Sequence, residues 1–112
     1  MDVETLLDSA RSSEVFLEET GWMAGVAPEE IERAHSEFSA HFQKWLGTLS
    51  EKLGPPLFTR ISDQQLAADL YLEATELAAW PHGSGYWVLA RGQHDRDTPV
   101  FVSFGYREAS AV

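Results

Sequence analysis

Ile31, Ala34, Phe38, Phe42, Trp45, Leu49 and Leu53 recur at spacings of 3, 4, 4, 3, 4 and 4 residues. The mean repeat of about 3.7 residues matches a straight packed helix and not the 3.5 of a coiled-coil seam. Both ends of the stripe are punctuated. Pro28 suits a first helical turn, where its missing N–H costs nothing, and Glu29 and Glu30 complement the positive end of the dipole. With Ala27 as the cap, Val26 and Ile31 stand at hydrophobic-staple positions. Gly54-Pro55-Pro56 stops the helix. Gly47 weakens its interior by about 1 kcal/mol relative to alanine and marks either a close contact or an early end. A helix of this length with one apolar stripe must lay that stripe on a core, so the rest of the chain has to supply a surface.

The C-terminal third supplies it. Pro81 to Gly85 reads as a turn, Tyr86 to Arg91 as a strand, Gly92 to Thr98 as a second polar turn, and Pro99 to Arg107 as another strand. Val100, Val102, Phe104 and Tyr106 alternate onto one face of that last strand. The pattern predicts an antiparallel meander with one face buried by helices. Between the halves, Leu57 to Ile61 suits a short edge strand, and Ser62-Asp63 opens a short helix. Leu66, Leu70, Ala74 and Leu77 keep helical spacing, yet Ala74 to Trp80 also reads as a strand; the expectation is a short helix followed by a strand. Residues 3–19 read as irregular helix: Val3, Leu6, Leu7 and Ala10 mark one face, and Val15-Phe16-Leu17 forms a second cluster. Arg11-Ser12-Ser13 is the break between them, where a serine can cap a second short helix, and Gly21 ends the region. The predicted fold class is α+β, with N-terminal helices packed on one face of a C-terminal antiparallel sheet (meander), in a single domain over 1–112. Two or three helices and three to five strands are expected.

Composition decides the broad class. Of the 112 residues, 44% are hydrophobic, 12% aromatic and 23% charged, which is the make-up of a chain that folds and not of a disordered acidic tract. The absence of cysteine excludes disulfides, thiolate metal sites and cysteine nucleophiles, and fits a reducing cytoplasm. Met1-Asp2-Val3-Glu4 is acidic where a signal peptide needs a basic start, and the longest unbroken apolar run is Tyr86 to Ala90. A cytoplasmic protein with no membrane contact is expected. The net charge is −10, and residues 1–54 hold 11 acidic against 4 basic side chains. Direct binding to nucleic acid needs a basic surface and is disfavoured. A field of this sign either keeps the chain soluble or steers it toward a basic partner.

No motif of covalent or metal chemistry survives inspection. His35 and His41 are six residues apart on one helix and so point to different faces, while His82 and His94 sit in different turns. In His94-Asp95-Arg96-Asp97-Thr98-Pro99 the two aspartates echo a D-x-D phosphotransferase loop, but Pro99 stands where that chemistry wants Thr or Val. Local turn hydrogen bonds explain the segment better, and its alternating signs suit a contact loop. Gly83-Ser84-Gly85 precedes a strand and not a helix N-terminus, so it is neither a phosphate cradle nor a nucleophile elbow. The adjacent pairs Glu18-Glu19 and Glu29-Glu30 diverge into water. The expectation is a non-enzymatic protein with no catalytic residues, no metal and no cofactor.

The aromatics remain. Trp22, Trp80, Tyr86 and Trp87 stand at element ends or beside turns, and Tyr86 and Trp87 face opposite sides of one strand, so one of them at most belongs to the core. An exposed Trp22 or Trp80 would argue for self-association; the oligomeric state is otherwise open. Glu76-Leu77-Ala78-Ala79-Trp80, Tyr86 to Asp95, Thr98-Pro99-Val100 and Phe104-Gly105 together resemble the small acidic immunity proteins of bacterial toxin–immunity systems. The resemblance covers the last third of the chain and is one of strands and turns. It implies inhibition by covering a toxin's active site, with a basic toxin such as a nuclease as partner. On that reading Glu29, Glu30, Glu32 and Glu37 supply part of the steering field, Asp95 and Asp97 are contact charges, and Trp87 is an aromatic anchor. Two rivals belong to other classes: an acidic DNA mimic or regulatory binding protein, and a small-ligand or enzymatic domain with a pocket between sheet and helices.

Overall fold

In the computed structural model, residues 2–56, 74–93 and 97–108 are described. The striped segment is a single helix, α2 (Pro28–Leu53), and Phe38, Phe42 and Leu49 are its buried contacts. It runs straight through Gly47, around which a Cβ would meet open space, so that glycine marks neither a close contact nor an end. Gly54 ends the helix at φ +87°, a backbone conformation that favours glycine, with its N–H on the Ser50 carbonyl at 2.8 Å. The Gly54 carbonyl in turn accepts the indole N–H of Trp80 at 2.8 Å. A peptide group left over at the helix end thus satisfies a tryptophan that is otherwise buried.

The N-terminal segment corrects the expectation of two short helices. Helix α1 (Val3–Ser12) is followed by a strand, β1 (Val15–Glu19), with Ser13 already extended at φ −157°. Val15-Phe16-Leu17 are strand-forming residues, and what makes them a strand is a partner almost ninety residues away, the edge of β4. The Asp2 carboxylate starts α1 by accepting the Thr5 backbone N–H at 2.8 Å. That bond, aided by the Thr5 hydroxyl, holds the Asp2 carboxyl below its ordinary pKa. A carboxyl more acidic in the folded than in the unfolded state contributes stability that is fully present above the unfolded value and lost as pH falls through the folded one. Asp2→Ala is therefore expected to lower the melting temperature most at neutral pH. In a series of thermal melts, the gap to the parent protein should narrow as the pH is taken down through the carboxylate range.

The remaining strands are β2 (Ala74–His82), β3 (Gly85–Gln93) and β4 (Val100–Glu108), in the sheet order β1-β4-β3-β2 with every pairing antiparallel. The expected meander is β2-β3-β4, and β1 adds beside β4. Ala74 to Trp80 is strand, while the edge strand and short helix expected over 57–73 lie outside the described residues. The β2–β3 turn is the two-residue pair Gly83-Ser84, and Gly83 at φ +60° takes the first position of a II′-type hairpin. Beside it, a Cβ on Gly85 would lie 2.2 Å from the Arg107 carbonyl oxygen, so only glycine lets β3 and β4 close at this end. At the outer edge of the sheet, β1 carries a register shift between Phe16 and Glu18, followed by Glu18 and Glu19. An irregular, charged edge resists pairing with another chain.

One face of the sheet meets the helices. Ala78, Trp80, Trp87, Leu89, Val102 and Phe104 form a core with Leu6 and Ala10 of α1 and with Phe38, Phe42 and Leu49 of α2. The alternation read from β4 sets this face. The reading of one face buried by helices left the other unassigned; it is buried as well, with Leu77, Ala79, Val88, Ala90 and Phe101 forming a second cluster. The unbroken apolar run Tyr86 to Ala90 is the corresponding sequence signal, since a strand buried on both faces has no polar side to alternate with.

Candidate protein-binding surface

Between β1 and α2 the chain crosses the surface as a loop whose backbone is fixed at two points. Thr20 donates its N–H to the Val100 carbonyl at 2.9 Å and accepts the Val100 N–H on Oγ1 at 3.0 Å. Met23 donates its N–H to the Asp97 carbonyl at 2.9 Å, buries its side chain, and accepts from the Val26 N–H at 3.0 Å. Trp22 lies between these two anchors and is 73% exposed. With Thr20 tied to β4 and Met23 turned into the core, the intervening indole is held outward. Large aromatic surface kept in water on a fixed backbone is the usual construction of an interface anchor.

A chain of polar side chains braces this end from beneath. Arg91, on β3, is buried; its Nε donates to Glu76 Oε1 across the β2–β3 pair at 2.5 Å. The Arg91 guanidinium also donates to His35 Nδ1, on α2, at 2.7 Å. A guanidinium has no acceptor, so His35 Nδ1 carries the lone pair and Nε2 carries the hydrogen. Nε2–H then donates to Gln93 Oε1 at 3.2 Å, and the Gln93 amide donates to the Thr98 carbonyl at 2.9 Å. Gln43 adds a bond to Glu76 at 3.4 Å. The series ties α2 to the β3–β4 connection. That connection carries Asp97, whose carbonyl holds the Trp22 loop.

The anticipated contact residues fall in three groups. Glu29, Glu30, Glu32 and Glu37 are all exposed, spread over the solvent half of α2 with Arg33 among them, and the first two follow the Trp22 loop directly. Asp97 is exposed beneath that loop, while Asp95 lies outside the described residues. Trp87 does not stand with them. It is only 3% exposed and its ring stacks on Phe104 at 5.3 Å between centroids, so of the pair Tyr86 and Trp87 it is the core member. The exposed indole belongs to Trp22 instead, which the sequence placed at an element end without showing which way it faced. Phe16, 43% exposed, lies apart from this end with its ring edge-on to Phe101. Among the described residues no group of three or more His, Asp or Glu side chains could hold a metal, and no helix is long and apolar enough to cross a membrane.

Comparison with protein families, with curated proteins and with solved structures finds no match to this chain.

Proposed function

We propose that this protein is a non-enzymatic inhibitor that docks an acidic, tryptophan-bearing surface on a basic protein, in the manner of a bacterial immunity protein covering its toxin. The observation that carries the reading is Trp22: an indole 73% exposed on a loop whose backbone is hydrogen-bonded to β4 on one side and to the β3–β4 connection on the other. The loop leads along the chain into α2, with Glu29 and Glu30 exposed at its start and Glu32 and Glu37 further along, and the carbonyl of exposed Asp97 accepts the Met23 N–H. Such a surface combines the two parts of a fast, tight inhibitor. Carboxylates steer encounter with a basic protein, and a desolvated aromatic anchor slows release. Self-association through Trp22 is disfavoured, because two copies of a chain of net charge −10 would bring like carboxylates together at the contact.

The test is capture of partners by the tagged protein from its native cells at low and high salt, with the captured protein then co-expressed with and without this chain. A single basic partner, held less well at high salt and toxic unless this chain is co-expressed, is the expected result. Partners that are captured equally at both salts, or whose activity this chain leaves untouched, would contradict the inhibitor reading. Capture of several unrelated nucleic-acid-binding proteins would replace it with mimicry of nucleic acid.

A further inference from the structure

A second feature lies at the Gly83-Ser84 hairpin end of the sheet, where the C-terminus of α1 meets β3 and β4. Here a cleft of about 410 Å³ is lined by Arg11, His82, Ser84, Trp87, Tyr106 and Glu108. Its volume falls within the roughly 300–1,000 Å³ of small-molecule sites. Two opposite charges line it without meeting. The Glu108 carboxylate is held on the Ser84 hydroxyl at 2.5 Å, and the Arg11 guanidinium rests over the Trp87 ring at 5.9 Å from its centroid. Among the described residues the Arg11 side chain, like those of Arg33 and Lys44, makes no hydrogen bond or ion pair, whereas Lys52, Arg91 and Arg107 each have a carboxylate partner. Arg11 lines the cleft with its cation unpaired, and the Glu108 carboxylate that lines the same cleft is engaged by the Ser84 hydroxyl instead.

Each charge is fixed by something other than its opposite. Arg11 is set by the end of α1 and by the indole face; Glu108 is set by the hairpin serine. The space between them therefore carries a standing field from cation to anion. Its walls are flat: the His82 ring is 6.3 Å from that of Tyr106, and the Tyr106 hydroxyl is locked on the His82 carbonyl at 2.7 Å. We propose that this cleft binds a small amino-acid-like zwitterion with a planar side chain. The ligand carboxylate meets the edge of Arg11, the ammonium meets Glu108, and the ring lies against Tyr106 and His82. A guanidinium held near an aromatic ring by a cation–π contact, with no carboxylate of its own, keeps its N–H donors for a ligand carboxylate. The proposal goes beyond the protein-binding reading, since the cleft residues are not those of the Trp22 surface.

The experiment is NMR titration of the whole chain with L-phenylalanine, N-acetyl-L-phenylalanine and L-phenylalanine amide, following the amides of residues 83–85 and the side-chain signals of Trp87 and Tyr106. Saturable shifts with L-phenylalanine at concentrations up to about 10 mM are expected, a scale set by a few kcal/mol of binding. Removing either charge of the ligand should weaken binding at least about tenfold, equivalent to roughly 1.4 kcal/mol. Arg11→Gln should erase the preference for a free carboxylate, and Glu108→Gln the preference for a free ammonium, with the unshifted signals of α2 reporting that each variant is folded. Absence of saturable shifts, or equal binding of all three compounds, would overturn the proposal. So would folded variants that keep the preferences of the parent protein.

Discussion

Phe42→Ala is expected to lower the unfolding free energy by about 3–5 kcal/mol, the usual loss for removing a fully buried phenylalanine. Phe42 is completely enclosed, in the core shared by α2, α1 and the helix-facing side of the sheet. The loss has two parts, the transfer of the ring out of water and the cavity that neighbours cannot fill. Relaxation is restricted here because Trp80 is tied to the Gly54 carbonyl and Trp87 is stacked on Phe104. Against a typical total of roughly 5–15 kcal/mol, a loss of this size leaves little of the folded state's margin. Urea unfolding followed by circular dichroism is the measurement. The midpoint should fall with little change in slope, since the surface exposed on unfolding is nearly the same. An effect under about 1 kcal/mol would mean that α2 does not lie on the sheet as described.

Glu76→Gln carries the second large effect, for an electrostatic reason. The substitution keeps the shape and an acceptor for Arg91 but removes the charge. Breaking a fully buried ion pair from one side costs about 3–5 kcal/mol, because the surviving charge stays out of water unpaired. The Arg91 side chain is 9% exposed and that of Glu76 is 23%, so solvent screens part of the loss and about 2 kcal/mol is expected. For a chain of this size that is a fall of roughly 10 °C in melting temperature. The double variant Glu76→Leu, Arg91→Met should recover much of that loss, because it leaves no buried charge behind. Thermal melts of the two variants check both statements. A double variant less stable than Glu76→Gln would assign the stabilisation to the hydrogen bonds with His35 and Gln43, and not to neutralisation of Arg91.

How much of this was legible depended on whether the signal was local. The helix α2 could be read to the residue because its stripe, its proline start and its glycine stop all lie within one segment. The hairpin and β4 were legible for the same reason: a Gly-containing turn and strict alternation at Val100, Val102, Phe104 and Tyr106. Strand β1 was not. Val15 to Glu19 shows no clean alternation, and its pairing with β4 passes through a register shift that no short window contains. The polar chain was invisible for a related reason. Arg91 and Glu76 face each other only once β2 and β3 are in register, and His35 joins them only once α2 is laid across. Of the candidate surface, the exposure of Glu29, Glu30, Glu32 and Glu37 followed from helical periodicity. The choice between Trp22 and Trp87 as the exposed indole did not, because it rests on the backbone bonds of Thr20 and Met23 to the far end of the chain.

The most direct test of the docking surface is the affinity of Trp22→Ala for the captured partner, by titration calorimetry beside the parent protein. An aromatic anchor at the centre of an interface contributes at least about 2 kcal/mol, so the dissociation constant should rise roughly thirtyfold or more. The melting temperature should stay where it is, because an indole 73% exposed adds little to the core. Unchanged affinity in a variant that folds as the parent does would contradict the account, and would move the contact away from the Trp22 loop.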